Sequence, residues 1–410
     1  MQLDLEFVRA FFPGLSKHWA LFDNAGGSVP TQAVTAGIVE YLERFGVQLG
    51  ASYDLSAQAE RRVRRGEEIA AELLGASPEE TVVGSSTTVN LATLARALAP
   101  RIEAGDEVIV TELDHESNIG PWRGLAAHGA VIKTWAIDRE RATLDLSDLE
   151  PLLSPRTRLV AFTHCANVVG EFIDVEEVVR RIRANRPDTW IVVDGVAYAP
   201  HRLVDVKALD VDAYAVSLYK IYGPHLGALY VRRELLEHAK GQNHFFFPED
   251  ALPAKLQPGG VAHELAAGLP GIGAYLDAVA ERHGVRGETR REGWAHAFRL
   301  FAEHEEQLAE RLLQFLREHP RVRIIGPNTS DRWMRAPTIA FVVEGMPSSQ
   351  VVPPLDQHHV AVRWGHFYAR RAIEALGLVR HEGIVRASMV HYNTLAEVER
   401  LVKALGQALR

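Results

Sequence analysis

Two side chains at the ends of apolar runs define the chemistry this chain offers. Lys220 follows Ala213-Tyr214-Ala215-Val216, which reads as a buried strand, and Gly223-Pro224 breaks the chain just beyond it. Asp194 closes a second such run, Trp190-Ile191-Val192-Val193. An amine and a carboxylate thus each stand where an apolar strand stops. In a parallel α/β sheet, that edge is where ligands bind. Pyridoxal phosphate uses both groups: a lysine that attaches to it covalently and an acid that faces its pyridinium nitrogen. Taken alone, Lys220 reads as an ordinary solvated strand-end lysine, so the inference rests on the set of residues and their order.

Further candidates lie at other strand ends. Gly84-Ser85-Ser86-Thr87-Thr88 falls between a strand and a helix. Its hydroxyls and free amides suit a phosphate, or equally a hydroxyl-rich N-cap. His115, in Asp114-His115-Glu116, follows a strand ending near Val110 or Thr111 and is either a ring-stacking group or a surface loop residue. Asn167 lies just past a strand ending at Phe162, and neighbouring Cys165 reads as a small buried hydrophobe. Arg386 falls in a later strand, where a buried guanidinium needs a carboxylate, internal or brought by a substrate. No GxGxxG, Walker or HExxH pattern occurs, which argues against nucleotide cofactors and zinc. The single cysteine excludes an intramolecular disulfide and any multi-cysteine metal site, so no metal is expected.

The elements that must position these groups alternate. Short apolar runs at 81–83, 107–110, 159–162, 190–193, 213–216 and 228–231 are interleaved with amphipathic stretches such as Val89 to Ala99 and Val175 to Asn185. That alternation predicts an α/β fold with a mostly parallel sheet wrapped by helices. Past residue 285 the texture changes to a long charged helix, Trp294 to His319, strands at 322–325, 338–343 and 384–387, and helices at 368–376 and 396–408. The expected organisation is a large domain, 20–285, and a smaller C-terminal α+β domain, 286–410, with 1–19 packing on the smaller one. The stretch 241–260, with three consecutive Phe, fits no regular element and is expected to be a long loop. A net charge of −8 argues against nucleic acid or an anionic membrane as partner. No apolar stretch approaches the roughly 18 residues of a membrane-spanning helix. The acidic N-terminus lacks a basic signal region, so a cytoplasmic location is expected.

At these residues the chain resembles the class V aminotransferase or cysteine desulfurase group of fold-type I pyridoxal phosphate enzymes. Phe22-Asp23-Asn24-Ala25-Gly26 is similar to that family's "LDNAA" element, and Leu113 to Trp122 to its "HHANIxPW" stretch. His164 to Gly170 is similar to "HxSNVxG", Val193-Asp194-Gly195 with Ala199-Pro200-His201 to "VDGAQxxPH", and Arg386 to Thr394 to "RxSxxxYNT". The stretch from Ala199 to Tyr230 resembles more narrowly a cysteine desulfurase-like branch. The resemblance implies a seven-stranded large-domain sheet, and a homodimer with sites at the interface. It implies Lys220, Asp194 and His115 as the catalytic set, His115 lying on the cofactor ring. Ser85, Ser86, Thr87, Ser217 and Tyr219 would bind the cofactor with Asn167, and Gly260 would reach a neighbour's phosphate. Asn24, Ala25, Asn167, Arg363, His366 and Arg386 would meet the substrate.

Three positions depart from the family pattern. Its catalytic cysteine lies in a loop resembling "RxGHHCA"; here the loop reads Arg363-Trp364-Gly365-His366-Phe367-Tyr368-Ala369, with Tyr368 at the cysteine position. A phenol cannot accept sulfur to form a persulfide. Ala197 stands where a glutamine is usual, and Gly260 where a threonine is usual. The expectation is a small α-amino acid substrate and C–S bond cleavage by β-elimination without an enzyme persulfide. Transamination and epimerisation are the alternatives, and a cofactor-binding sensor or scaffold is the non-enzymatic one. Retention of both Lys220 and Asp194 speaks against the last.

Overall fold

Apolar residues on successive runs between residues 81 and 231 bury both faces of one sheet. The computed structural model describes residues 2–15, 17–284 and 287–410. Its strands, labelled in chain order, are β1 (Thr81–Gly84), β2 (Glu107–Thr111), β3 (Val131–Trp135), β4 (Thr157–Thr163), β5 (Trp190–Asp194), β6 (Ala213–Ser217) and β7 (Gly227–Val231). They pair in the order β1-β7-β6-β5-β4-β2-β3. All neighbours are parallel except β7, which runs antiparallel to both β1 and β6. Every residue of β6 and β7 is buried, as expected for a sheet covered on both faces. Alternate residues divide between two cores: Val193 and Val216 pack in one, Val192 and Ala215 in the other. Edge strand β3 is the one strand of this sheet absent from the sequence-based set. It is largely open to solvent and carries Lys133 and Thr134, so it lacks a continuous apolar run.

Parallel pairing brings the C-terminal residues of β4, β5 and β6 to a common edge. Thr163 is in register with Asp194, and Asp194 with Ala215, two residues before Ser217. The helix Thr87–Leu98 follows β1, and Ser86 caps it by accepting the Val89 amide at 3.2 Å. Gly227 lets that helix start lie against β7: a Cβ there would meet the Thr87 nitrogen at 2.4 Å.

Strands β8 (Val322–Ile325), β9 (Thr338–Val343), β10 (Arg363–Gly365) and β11 (Ile384–Ser388) form a second sheet, ordered β10-β11-β9-β8 and antiparallel throughout. The helices Arg290–Glu318 and Leu395–Ala408 cover it, each opened by a capping box, Thr289 with Glu292 and Thr394 with Glu397. The helix expected from Tyr368 starts instead at Arg370, because Phe367 and Tyr368 take left-handed backbone angles, φ 48° and 59°. The expected division at 285/286 lies outside the described residues. The N-terminal segment touches both sides: Arg9 donates to the Tyr392 carbonyl at 2.6 Å, and Phe12 packs edge-on against Tyr275. Residues 241–260 stay irregular apart from the turn Ala254–Leu256. Among the described residues, no helix is long and apolar enough to cross a membrane.

Candidate functional site

The common edge of β4, β5 and β6 opens into a small, partly enclosed cavity. Lys220, Asp194, His115, Asn167, Ser217 and Tyr219 line it, together with Ser86 and Thr87. Lys220 arrives on the single turn Leu218–Lys220 that follows β6. It is 8% exposed. Burial and the charge of Arg386 bring its amine down to about 8, against the opposing pull of Asp194. The amine and the acid therefore share one cavity.

Asp194 is only 5% exposed. Burial pushes its carboxyl up, only partly offset by the Val196 amide at 2.9 Å and the charge of Lys220. A buried acid so placed calls for a cationic N–H partner. His115 accepts the Ser117 amide on Nδ1 at 3.1 Å. Burial, then the charges of Lys220 and Arg386, lower it to about 4, so its imidazole is neutral at pH 7. Asp114 beneath it accepts from Asn118 Nδ2 at 2.6 Å, from the Thr163 amide at 3.1 Å and from the Thr111 hydroxyl. Those donors pin the His115 loop to the end of β4. Burial nevertheless raises Asp114 to about 7.

At the helix end of the cavity, the Thr87 hydroxyl lies 2.8 Å from the Val216 carbonyl and 2.8 Å from Ser217 Oγ. The carbonyl only accepts, so Thr87 donates to it and receives from Ser217. The Ser86 hydroxyl hydrogen and the first amides of the helix remain for an anion. Ser85 is a correction: it is exposed and off the cavity wall, and Thr88 lines the wall instead.

Arg386 is not on the cavity wall itself; it is buried beside Asn167 and finds an internal carboxylate. Asp23 Oδ1 accepts from it at 3.2 Å, and Asp23 Oδ2 accepts from Arg363 at 3.3 Å. Arg386 also donates to the Asn167 carbonyl at 2.9 Å and lies 3.7 Å over the Phe367 ring. Its Nε has no partner among the described residues, nor has the buried Asn167 Oδ1. Burial lowers Arg386 to about 10, and it stays cationic at neutral pH.

Some expected residues sit elsewhere. Asn24 and Ala25 do not line the cavity. The Asn24 amide is committed to Leu21 and Ser388 carbonyls, at 2.9 and 3.1 Å, and its Oδ1 accepts from Tyr392. The Ala25 amide bonds Ser388 Oγ at 2.8 Å. Arg363 and His366 lie on the loop beside the cavity, where His366 Nδ1 accepts the Tyr368 amide at 3.1 Å. Gly260 lines a separate cavity with Pro253 and His263, away from Lys220. Cys165 lines the cavity but is 1% exposed, and burial pushes its thiol far above the ordinary range. The wall also includes Thr163 and Ser117. Sequence reasoning could have found Thr163 by the strand-end argument that found Asp194. Asp23 carried a signal too, as the one acid in Phe22-Asp23-Asn24.

These unmet groups suit a phosphorylated pyridine aldehyde: a buried amine of lowered pKa, a buried acid lacking a cation, an orphaned Asn167 Oδ1 and a hydroxyl-rich helix start. The aminotransferase class-V family model matches residues 20–245 and 295–401. The chain is 39% identical to the aminotransferase-like protein FGM3 of Gibberella zeae, over 99% of this chain and 98% of that one. It is 32% identical to the cysteine desulfurase-like protein ustD of Aspergillus flavus, over 99% and 90%. The structure of a cysteine desulfurase from Thermococcus onnurineus NA1 superposes with a TM-score of 0.86 at 26% identity, covering 100% of this chain and 98% of that one. The chain belongs to the class V aminotransferase family, on the fold-type I architecture, and is a pyridoxal phosphate-dependent enzyme with cysteine desulfurase-like relatives.

Proposed function

We propose that this enzyme cleaves a C–S bond of a small α-amino acid by β-elimination, without carrying sulfur on a cysteine of its own. One observation carries the proposal. The only cysteine is buried with its thiol held protonated, while Lys220, Asp194, His115 and Asn167 gather around one cavity with Arg386 beside it. A thiolate is the species that accepts sulfur, and Cys165 is poorly placed to become one.

Lys220, Asp194, Asn167, Ser86, Thr87 and Ser217 would hold pyridoxal phosphate, which supplies an electron sink for the bond broken at Cα. Arg386 would take the α-carboxylate through its unpartnered Nε, sharing its charge with Asp23. That grip orients the amino acid so that the Cα proton meets the Lys220 amine. With Lys220 at about 8, a useful fraction is neutral at pH 7 and takes that proton at Nζ. The electron pair freed at Cα forms the Cα–Cβ double bond as the Cβ–S bond breaks, and sulfur leaves with its pair as a thiolate. Hydrolysis of the released enamine gives pyruvate and ammonia. The half-buried, neutral His115 walls the site without adding charge beside the amine.

Transamination is the second reading, favoured by the 39% identity to a relative named aminotransferase-like. It would retain the amino group and release a keto acid with the sulfur still attached. Product analysis separates the two. Incubation with cysteine and S-substituted cysteines should yield pyruvate and sulfide or thiol, with no persulfide on Cys165. A sulfur-containing keto acid would assign transamination instead, and no turnover of any amino acid would leave a cofactor-binding sensor. A homodimer, with the segment around Gly260 reaching the neighbour's helix start, completes the proposal; a monomeric mass in sedimentation would remove that part.

A further inference from the structure

The loop from Arg363 to Ala369 runs beside the cavity with its backbone under strain. Gly365, Phe367 and Tyr368 have φ of 125°, 48° and 59°, and for a phenylalanine and a tyrosine this is the left-handed region that L side chains rarely adopt. The turn is closed locally by the Ala369 amide, which donates to the His366 carbonyl at 2.8 Å, and three contacts from elsewhere in the chain hold it in place. Asn167 Nδ2 donates to the Phe367 carbonyl at 2.9 Å, the Glu116 amide donates to the Tyr368 carbonyl at 2.8 Å, and Arg371 pairs with Glu116 at 3.0 Å. The outcome is an aromatic side chain held outward. Tyr368 is 69% exposed, yet its ring lies 5.3 Å from the His115 ring. Its hydroxyl has no hydrogen-bond partner among the described residues. The local turn accounts for the backbone angles, but a merely solvated loop tyrosine does not call for three long-range contacts that hold its ring beside His115, and left-handed non-glycine residues held beside a binding cavity are characteristic of functional loops.

We infer that Tyr368 is a specificity-determining residue, whose hydroxyl donates a hydrogen bond to a heteroatom in the substrate's side chain. The substrate class is then α-amino acids carrying such an acceptor, in preference to those with plain alkyl side chains. This inference rests on the amino-acid chemistry proposed above and adds a selection rule to it.

The test uses the cofactor-loaded enzyme and two variants. Tyr368→Phe keeps the ring and removes the donor. Tyr368→Asn removes the ring with a residue that tolerates the left-handed backbone. Binding of L-cysteine, L-serine and the serine isostere L-2-aminobutyrate is followed by the change in cofactor absorbance and by calorimetry. Tyr368→Phe should weaken cysteine and serine by about fivefold, the value of one net hydrogen bond, and leave 2-aminobutyrate and the resting absorbance unchanged. Equal weakening of all three ligands, or of none, overturns the inference. If Tyr368→Asn folds poorly, Tyr368→Phe decides alone. A parent protein whose absorbance no amino acid perturbs would instead remove the proposed amino-acid chemistry, and this inference with it.

Discussion

Replacing Lys220 by methionine should stabilise the cofactor-free protein at neutral pH. Lys220 is 8% exposed, and its amine falls from 10.5 to about 8. That value already includes the attraction of Asp194, so it measures the net penalty of keeping an ammonium in this cavity. At about 1.4 kcal/mol per tenfold change in proton affinity, the penalty is roughly 3 kcal/mol. The sign follows from proton counting. Below pH 8 both folded and unfolded chains hold the proton, and the full penalty is present. Between 8 and 10.5 the unfolded chain binds more protons than the folded one, so the parent protein gains stability as pH rises. Lys220→Met retains the apolar stem and removes the charge. Its advantage in urea denaturation should therefore be roughly 3 kcal/mol at pH 7 and shrink to about 1 kcal/mol near pH 10. A variant that is less stable than the parent at pH 7, or whose advantage does not change with pH, would refute the claim that burial suppresses the ammonium. The same variant should form no covalent link to pyridoxal phosphate, so a site that weakens the fold is retained for chemistry.

Other outcomes follow from the same geometry. Arg386→Ala removes a buried guanidinium from the Asp23 ion pair and should lower kcat/KM for α-amino acids by about 2–5 kcal/mol, mainly through KM; unchanged kinetics would take Arg386 out of the site. Cys165→Ser should preserve product formation, since the thiol is buried and protonated; its inactivation would restore a sulfur-carrier role. Gly170→Ala should destabilise the fold by about 2 kcal/mol or more. Gly170 sits at φ 76°, where a Cβ would meet the Thr338 carbonyl oxygen at 2.3 Å. Equal melting temperatures for that variant and the parent would show that the backbone there relaxes freely.

The sheet, its parallel sense and the placement of Lys220 and Asp194 were legible in the sequence, because hydrophobic periodicity and strand-end position are local properties. Buried strands β5 and β6 announce themselves as uninterrupted apolar runs, and a polar residue ending such a run stands out. The half-exposed edge strand β3 had no such signal, since one solvated face dilutes its pattern with Lys133 and Thr134. Tertiary structure alone decided what each charge meets. Arg386 needed a carboxylate from its burial, but nothing local to it named Asp23, which lies 363 positions away in the chain. Asn24 could be listed beside the substrate by motif, yet its amide is consumed by carbonyls that only folding brings within 3.1 Å. The left-handed turn at Phe367 and Tyr368 was equally hard to read, because two of the groups that hold it, Asn167 and Glu116, lie about 200 and 250 positions away in the chain. Residue type and spacing thus determine which chemistry is available, while desolvation and long-range pairing, which depend on the packed chain, determine which groups remain free to perform it.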